Sequence, residues 1–260
     1  MSAELLCVVI EVGVVRAGQV TRVEGDSTPL NAASLAKQVV GHLALTVCDD
    51  LEESVHGAIT VRHVLSHTTG LANWSPPDDP ARAIRTPGTR FGYSGEGFAL
   101  LQRHLEHSTG HTLDELAAQH VFAPFGMLDS YFGAPEMEFH GNRPLFTTAG
   151  DYARFLAHVL GLDDERWHPQ CSIDGELAWG AGWGLELGPP VWGWQWGHNT
   201  WPRAASNLVI GCPTSGDGVV VLTDLADGRE HYRTVVEREL PGDHPSLRVE
   251  RNPAWLALFE

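Results

Sequence analysis

Positive charge is scarce in this chain. Of its 260 residues only 17 are Lys or Arg against 33 Asp or Glu, a formal net charge of -16. A nucleic-acid surface needs a basic face, so that class of partner is excluded. Cysteine is equally sparse. Cys7, Cys48, Cys171 and Cys212 are scattered and form no Cys-x-x-Cys pair. They read as free, mostly buried thiols rather than disulfides or zinc ligands. Long apolar runs are missing as well. Nothing reaches the length of a membrane span, and Leu5–Ile10 is too short and too β-branched for a signal-peptide core. The start Met-Ser-Ala-Glu-Leu-Leu has no basic segment, and the expectation is a cytoplasmic protein with no membrane partner. No internal repeat and no low-complexity segment occurs.

What is present is a globular composition, 43% hydrophobic and 19% charged, long enough for one large core. Leu5–Val15 and Gln19–Val23 flank Arg16-Ala-Gly18 and predict a hairpin. Helical patterns follow at Ser34–Val47, Val61–Ser66, Gly95–His107, Leu113–Val121 and Ala149–Leu160. Their connectors, Trp74–Pro80 and Thr86–Thr89 among them, are rich in Gly and Pro. Strand patterns return at Gly182–Leu187, Val191–Trp196, Ala205–Ile210 and Gly218–Leu222. A last helix, Glu230–Leu240, stops at Pro241-Gly242. The order predicts an α/β (α+β) chain whose first and last parts close one antiparallel sheet flanked by helices. Residues 1–30 and 176–260 would form the sheet lobe and 31–175 an inserted helical lobe, with a ligand cleft between them.

Three short stretches carry candidate chemistry. Ser34 follows the turn Asn31–Ala33 and opens a helix, with Lys37 one turn later on the same face. Alone, the pair reads as an N-cap serine and a solvated lysine. In Arg90-Phe-Gly-Tyr93-Ser94-Gly95, Tyr93 reads alone as a half-buried aromatic at a helix entry. In Gly197-His198-Asn199-Thr200, His198 reads alone as one of 14 histidines.

Taken together, the three resemble the Ser-x-x-Lys, Tyr-x-Asn and Lys/His-Thr-Gly motifs of the serine β-lactamase and penicillin-binding-protein superfamily. The branch they resemble holds the class C β-lactamases, DD-peptidases and family VIII esterases, in which His can take the third-motif lysine position. Stretches without chemistry agree in order. Val61–Leu71 is similar to the family's "LLTHTSGL", Pro87–Ser94 to "PGxxFxYS", Phe122–Met127 to "PLGM" and Phe146–Phe155 to "TAxDxARF".

The resemblance implies a β-lactamase/transpeptidase-like fold and an acyl-enzyme at Ser34, with no metal and no cofactor. An unassisted serine hydroxyl is a weak nucleophile. Lys37 would be its base, since desolvation favours the neutral amine that a base requires. Tyr93 would share the proton, and His198 would line the site as a polar or weakly cationic wall, hydrogen-bonding Tyr93. The oxyanion would sit between the backbone N–H groups of Ser34 and Trp201. Gly95, Asn199, Thr200 and Trp201 would meet a small acyl substrate.

Two departures qualify this. Gly95 replaces the Asn that donates to a substrate amide, which points away from β-lactams and peptidoglycan stems. Thr200 replaces a Gly, which would narrow the cleft or shift the strand register. The usual N-terminal helix is not expected, and Pro253–Phe259 would cover the sheet in its place. The chain is also short for this branch, so its substrate-covering loops are expected to be trimmed. Trp192, Trp194 and Trp196 share a strand face and read as core for at least two of them, the alternative being an aromatic wall with Trp201. His104, His107 and His111 read as a solvated helix face. Three functions stand open: a serine hydrolase of a small ester, lactone or amide, an acyltransferase on the same machinery, and a silent binding protein of the same fold.

Overall fold

A computed structural model describes residues 9–25, 27–74, 84–138 and 142–251. The first residues of the expected hairpin, Cys7, most of the Trp74–Pro80 connector and the Pro253–Phe259 tail lie outside them.

The hairpin is present, with β1 (Ile10–Arg16) and β2 (Gln19–Glu24) joined antiparallel. Its two-residue turn puts Ala17 and Gly18 at φ 48 and 73, which matches the right-handed twist of the strands. Six further strands complete the main sheet. They are β3 (Cys171–Ser172), β4 (Leu177–Trp179), β5 (Gly184–Glu186), β6 (Trp192–Asn199), β7 (Ala205–Cys212) and β8 (Asp217–Thr223). Their order is β2-β1-β8-β7-β6-β5-β4-β3, every pair antiparallel. The first strand thus pairs with the last, Val12 opposite Val221. Strands β3 and β4, of two and three residues, are too short for a readable alternation.

Between β2 and β3 the chain is mainly helical: α1 (Ala36–Val47), α2 (Val61–Leu65), α3 (Gly95–Thr109), α4 (Leu113–Ala117) and α5 (Ala149–Leu160). The expected Leu113–Val121 helix widens into π-type turns over Ala118–Phe122. After β8 comes α6 (Arg229–Glu239). Period-two alternation gives the sheet two apolar faces. Val209, Val220 and Leu222 pack with α1 and α5, while Leu208, Ile210, Val219 and Val221 pack with Tyr232, Val235 and Val236 of α6. Helix α5 lies directly on β1, because a Cβ at Gly13 would sit 2.5 Å from the Ala149 carbonyl oxygen. Cys48 and Cys171 are half-buried free thiols and Cys212 is a buried one.

Two histidines are buried in neutral form. Burial, with Arg166 beside it, lowers His42 to about 3, and its Nδ1 lies 3.3 Å from the Arg166 guanidinium. Burial, with the Lys37 charge nearby, holds His67 well below its ordinary range. In the unfolded chain both titrate near 6.5, so below that pH the unfolded state binds more protons. Their contribution is complete above about pH 6.5 and is lost as pH falls, by about 1.4 kcal/mol per unit and per histidine. His244 acts oppositely. Burial alone would lower it, but its hydrogen bond and charge pairing with Glu186 raise it, so its smaller contribution is lost as pH rises. The expected result is a falling Tm between pH 7 and pH 5, with roughly 2 kcal/mol of lost stability from His42 and a further loss in the same direction from His67. Calorimetry on the wild type and His42→Gln checks it, the variant showing a shallower slope. A Tm unchanged over that range would contradict the neutral burial.

Candidate active site

The turn that carries Ser34 is built by its neighbours. Ser34 does not cap a helix as expected. It lies inside a 3-10 turn, Ala33–Leu35, that runs into α1 without a side-chain cap. Asn31 sets the turn, its Oδ1 accepting from the Ala33 N–H at 3.0 Å and its Nδ2 donating to the Arg203 carbonyl. Asn207 on β7 donates to the Asn31 carbonyl at 2.9 Å, and the Tyr152 hydroxyl of α5 donates to the Leu35 carbonyl at 2.9 Å. Ala33 is held at φ 50, a left-handed conformation that costs an alanine about 1–2 kcal/mol. Such strain persists only where the surroundings enforce it. Gly197 allows β6 to press on this turn, since a Cβ there would lie 2.5 Å from the Ala32 carbonyl oxygen.

On α1 the 3.6-residue period brings Lys37 back under Ser34. Its Nζ donates to Ser34 Oγ at 3.4 Å, and Lys37 is only 7% exposed. It is therefore not a solvated lysine. Its Nζ lies 5.4 Å from the centre of the Tyr93 ring and 5.8 Å from the rings of both Trp74 and Phe98.

The Val61–Leu71 stretch, which carried resemblance and no chemistry, positions Tyr93. The His67 ring stacks on the Tyr93 ring at 4.1 Å, and its Nδ1 accepts from the Ser94 N–H at 3.1 Å. In its neutral form His67 therefore carries its proton on Nε2. The backbone carbonyls of His67 and Thr68 receive the N–H groups of Gly92 and Gly88. Ser94 Oγ then caps α3 at Gly97.

On β6 the partner of Tyr93 is Gln195 and not His198. Gln195 Nε2 donates to Tyr93 Oη at 3.2 Å, and Gln195 Oε1 accepts from Gln38 Nε2 of α1 at 3.2 Å. Alternation explains the difference, for Gln195 and Gly197 share the face turned to the nucleophile turn. His198 lies at the exposed end of the strand and lines the rim of the cavity. A glutamine between tryptophans reads as an outward residue in sequence, and only its burial, at 3% exposed, reveals it.

Ser34, Lys37, His198, Asn199 and Trp201 line one cavity of about 150 Å³, with Trp74 and Phe98. Thr200 is not among the lining residues. It is exposed past the end of β6, whose register with β7 runs unbroken to Asn199 opposite Ala205, so it neither narrows the cavity nor shifts the strand. Asn199 Oδ1 accepts from the N–H groups of Thr200 and Trp201 at 2.9 and 3.1 Å. That turn engages the Trp201 N–H expected to face an oxyanion, which would have to exchange this bond for substrate. The Ser34 N–H has no acceptor among the described residues.

The aromatic wall is made of Trp74, Phe98 and Trp201. Trp192, Trp194 and Trp196 pack instead in the α6-side core. Trp74 belongs to no motif in the sequence, so only the folded chain reveals its place. Its ring fills the space beside Gly95, where a Cβ would lie 2.3 Å from the indole. Of the three histidines read as a helix face, His111 lies past the end of α3 and is exposed, as is His107, but His104 is 11% exposed with Nε2 3.4 Å from Glu53 Oε1. Among the described residues, Cys48, Glu53 and His104 form the one group of three potential metal ligands, and none of them lines the Ser34 cavity.

A buried amine under a hydroxyl, a tyrosine at its side and an unengaged N–H at the serine can support acyl transfer. The Beta-lactamase family model matches residues 31–240. A β-lactamase/D-alanine carboxypeptidase from Pseudomonas syringae superposes with a TM-score of 0.75 at 15% identity, over 91% of this chain and 94% of that one. The octameric penicillin-binding protein homologue from Pyrococcus abyssi gives 0.71 at 18% identity, over 94% and 76%. SurE, solved with D-Leu, gives 0.75 at 19% identity, over 91% and 72%. No curated protein matches the chain in sequence. Among the described residues no helix is long and apolar enough to cross a membrane. With a family match across most of its length and the three-motif site at the junction of sheet and helices, the chain belongs to the beta-lactamase family, in the superfamily of serine β-lactamases and penicillin-binding proteins.

Proposed function

We propose that the protein is a serine hydrolase that forms an acyl-enzyme at Ser34 on a small ester. The observation that carries the reading is the Ser34 Oγ to Lys37 Nζ contact of 3.4 Å inside a cavity with Tyr93 behind it. Ser34 Oγ attacks the carbonyl carbon and its proton passes to the Lys37 amine, the base beside it. The oxyanion is met by the Ser34 N–H and, once Asn199 releases it, by the Trp201 N–H. Collapse expels the alcohol, which takes the proton through Lys37 and Tyr93. Water then attacks the Ser34 ester, giving the acid and restoring the hydroxyl.

Acyl transfer to an amine or alcohol is the second reading, because an acceptor in place of water uses the same groups. The missing amide donor at Gly95 favours esters over amides in either case. Intact mass after a fluorophosphonate probe, followed by peptide mapping, is expected to show one adduct on Ser34. An unlabelled protein would end the reading and leave a binding role. Acyl-enzyme decay measured with and without amine acceptors separates hydrolysis from transfer.

A further inference from the structure

By the motif resemblance, Gly95 stands where an amide-recognising asparagine is expected, and here that volume is taken by another residue. A Cβ on Gly95 would lie 2.3 Å from both Cη2 and Cζ3 of Trp74, far inside contact distance. The six-membered ring of Trp74 therefore occupies the space. Gly95 itself offers a substrate nothing. Its N–H donates to Asn73 Oδ1 at 2.9 Å, and its carbonyl accepts from Asn142 Nδ2 at 3.2 Å.

The same indole has Lys37 Nζ 5.8 Å from its centre, and it lines the cavity with Phe98, Val40 and Trp201. What the exchange does is turn a polar corner beside the nucleophile into an apolar, flat one. The cavity is about 150 Å³, room for a benzene-sized guest, with this apolar wall on one side and Asn31, Gln102, Asn142 and Arg143 on others. Flat rings gain further from offset or edge contact with an indole.

We propose that Trp74 is the specificity-determining residue of the site, selecting esters of a short apolar or single-ring aromatic acid and rejecting acylamino substrates such as β-lactams and peptides. The inference rests on the acyl-enzyme reading above. It goes beyond it by naming the acyl group and the residue that chooses it.

The test uses methylboronic and phenylboronic acid, which add reversibly to an active-site serine and present the acyl group alone. Calorimetry gives their Kd values for the wild type, Trp74→Ala and Trp74→Leu, and acylation by nitrocefin is followed in parallel. The wild type is expected to bind phenylboronic acid roughly 10-fold more tightly than methylboronic acid. Both Trp74 variants should narrow that ratio to near unity. Trp74 is 38% exposed, so its truncation should leave the fold intact, and Trp74→Leu keeps apolar bulk if Trp74→Ala does not fold. Trp74→Ala/Gly95→Asn, which restores both space and amide donor, should acylate with nitrocefin roughly 10-fold faster than the wild type.

An unchanged phenyl-to-methyl ratio in the variants would overturn the role of Trp74 while fluorophosphonate labelling of Ser34 still stood. Efficient nitrocefin acylation of the wild type would overturn the rejection of amides. Absence of both boronate binding and Ser34 labelling would remove the hydrolase reading and the selectivity with it.

Discussion

Ser34→Ala is expected to abolish acyl-enzyme formation, a loss on the order of 10⁶-fold in turnover, while the protein remains folded. Ser34 is half-buried, makes no helix cap, and its hydroxyl touches Lys37 at 3.4 Å without closing any backbone group. Its truncation therefore removes chemistry and little packing. Lys37→Ala should be nearly as damaging, because a serine without a base is a poor nucleophile. Groups that act as one unit give grossly non-additive losses. The double variant should consequently match either single one. Burst kinetics on an aryl ester, with circular dichroism as the folding control, provide the measurement. More than trace turnover in Ser34→Ala would remove it as nucleophile. Additive losses in the double variant would show that the two side chains act separately.

Tyr93→Phe is expected to separate leaving groups. The ring stacks on His67 at 4.1 Å and meets Trp179 edge-on at 6.0 Å, contacts a phenylalanine keeps. What is lost is the hydroxyl, which accepts from Gln195 and so directs its own proton elsewhere. A p-nitrophenolate leaves with little protonation, whereas an alkoxide depends on a general acid, a contribution of roughly 10²–10⁴-fold. Acylation by an alkyl ester should fall by that factor and acylation by a p-nitrophenyl ester by much less, with KM for both nearly unchanged. Equal losses on the two esters would make Tyr93 a packing residue. Unchanged rates on both would leave Lys37 as the one proton carrier.

The sequence by itself determined the class of fold and where its chemistry is anchored. Hydrophobic period and turn residues placed α5 at Ala149–Leu160 and β7 from Ala205 onward, because α5 buries a broad helical stripe and β7 is buried along its whole length. The closure of β1 on β8 followed from the strand, helix, strand order. Ser34 and Lys37 were legible because one helical turn separates them, a local relation that needs no tertiary contact.

Tertiary structure alone decided the rest. Gln195 meets Tyr93 across 102 positions of sequence and His67 meets it across 26, and neither residue type announces such a partner. The Asx turn of Asn199 engages the Trp201 N–H, a backbone event that no side-chain pattern encodes. Thr200 looked obstructive only while it was assumed to lie in the strand. Trp74 lay in a Gly/Pro-rich connector with no period to place it, so nothing in the string linked it to Gly95. Its ring stands over Lys37 because the glycine 21 positions later leaves room for an indole, and that fit between distant residues exists only in the folded chain.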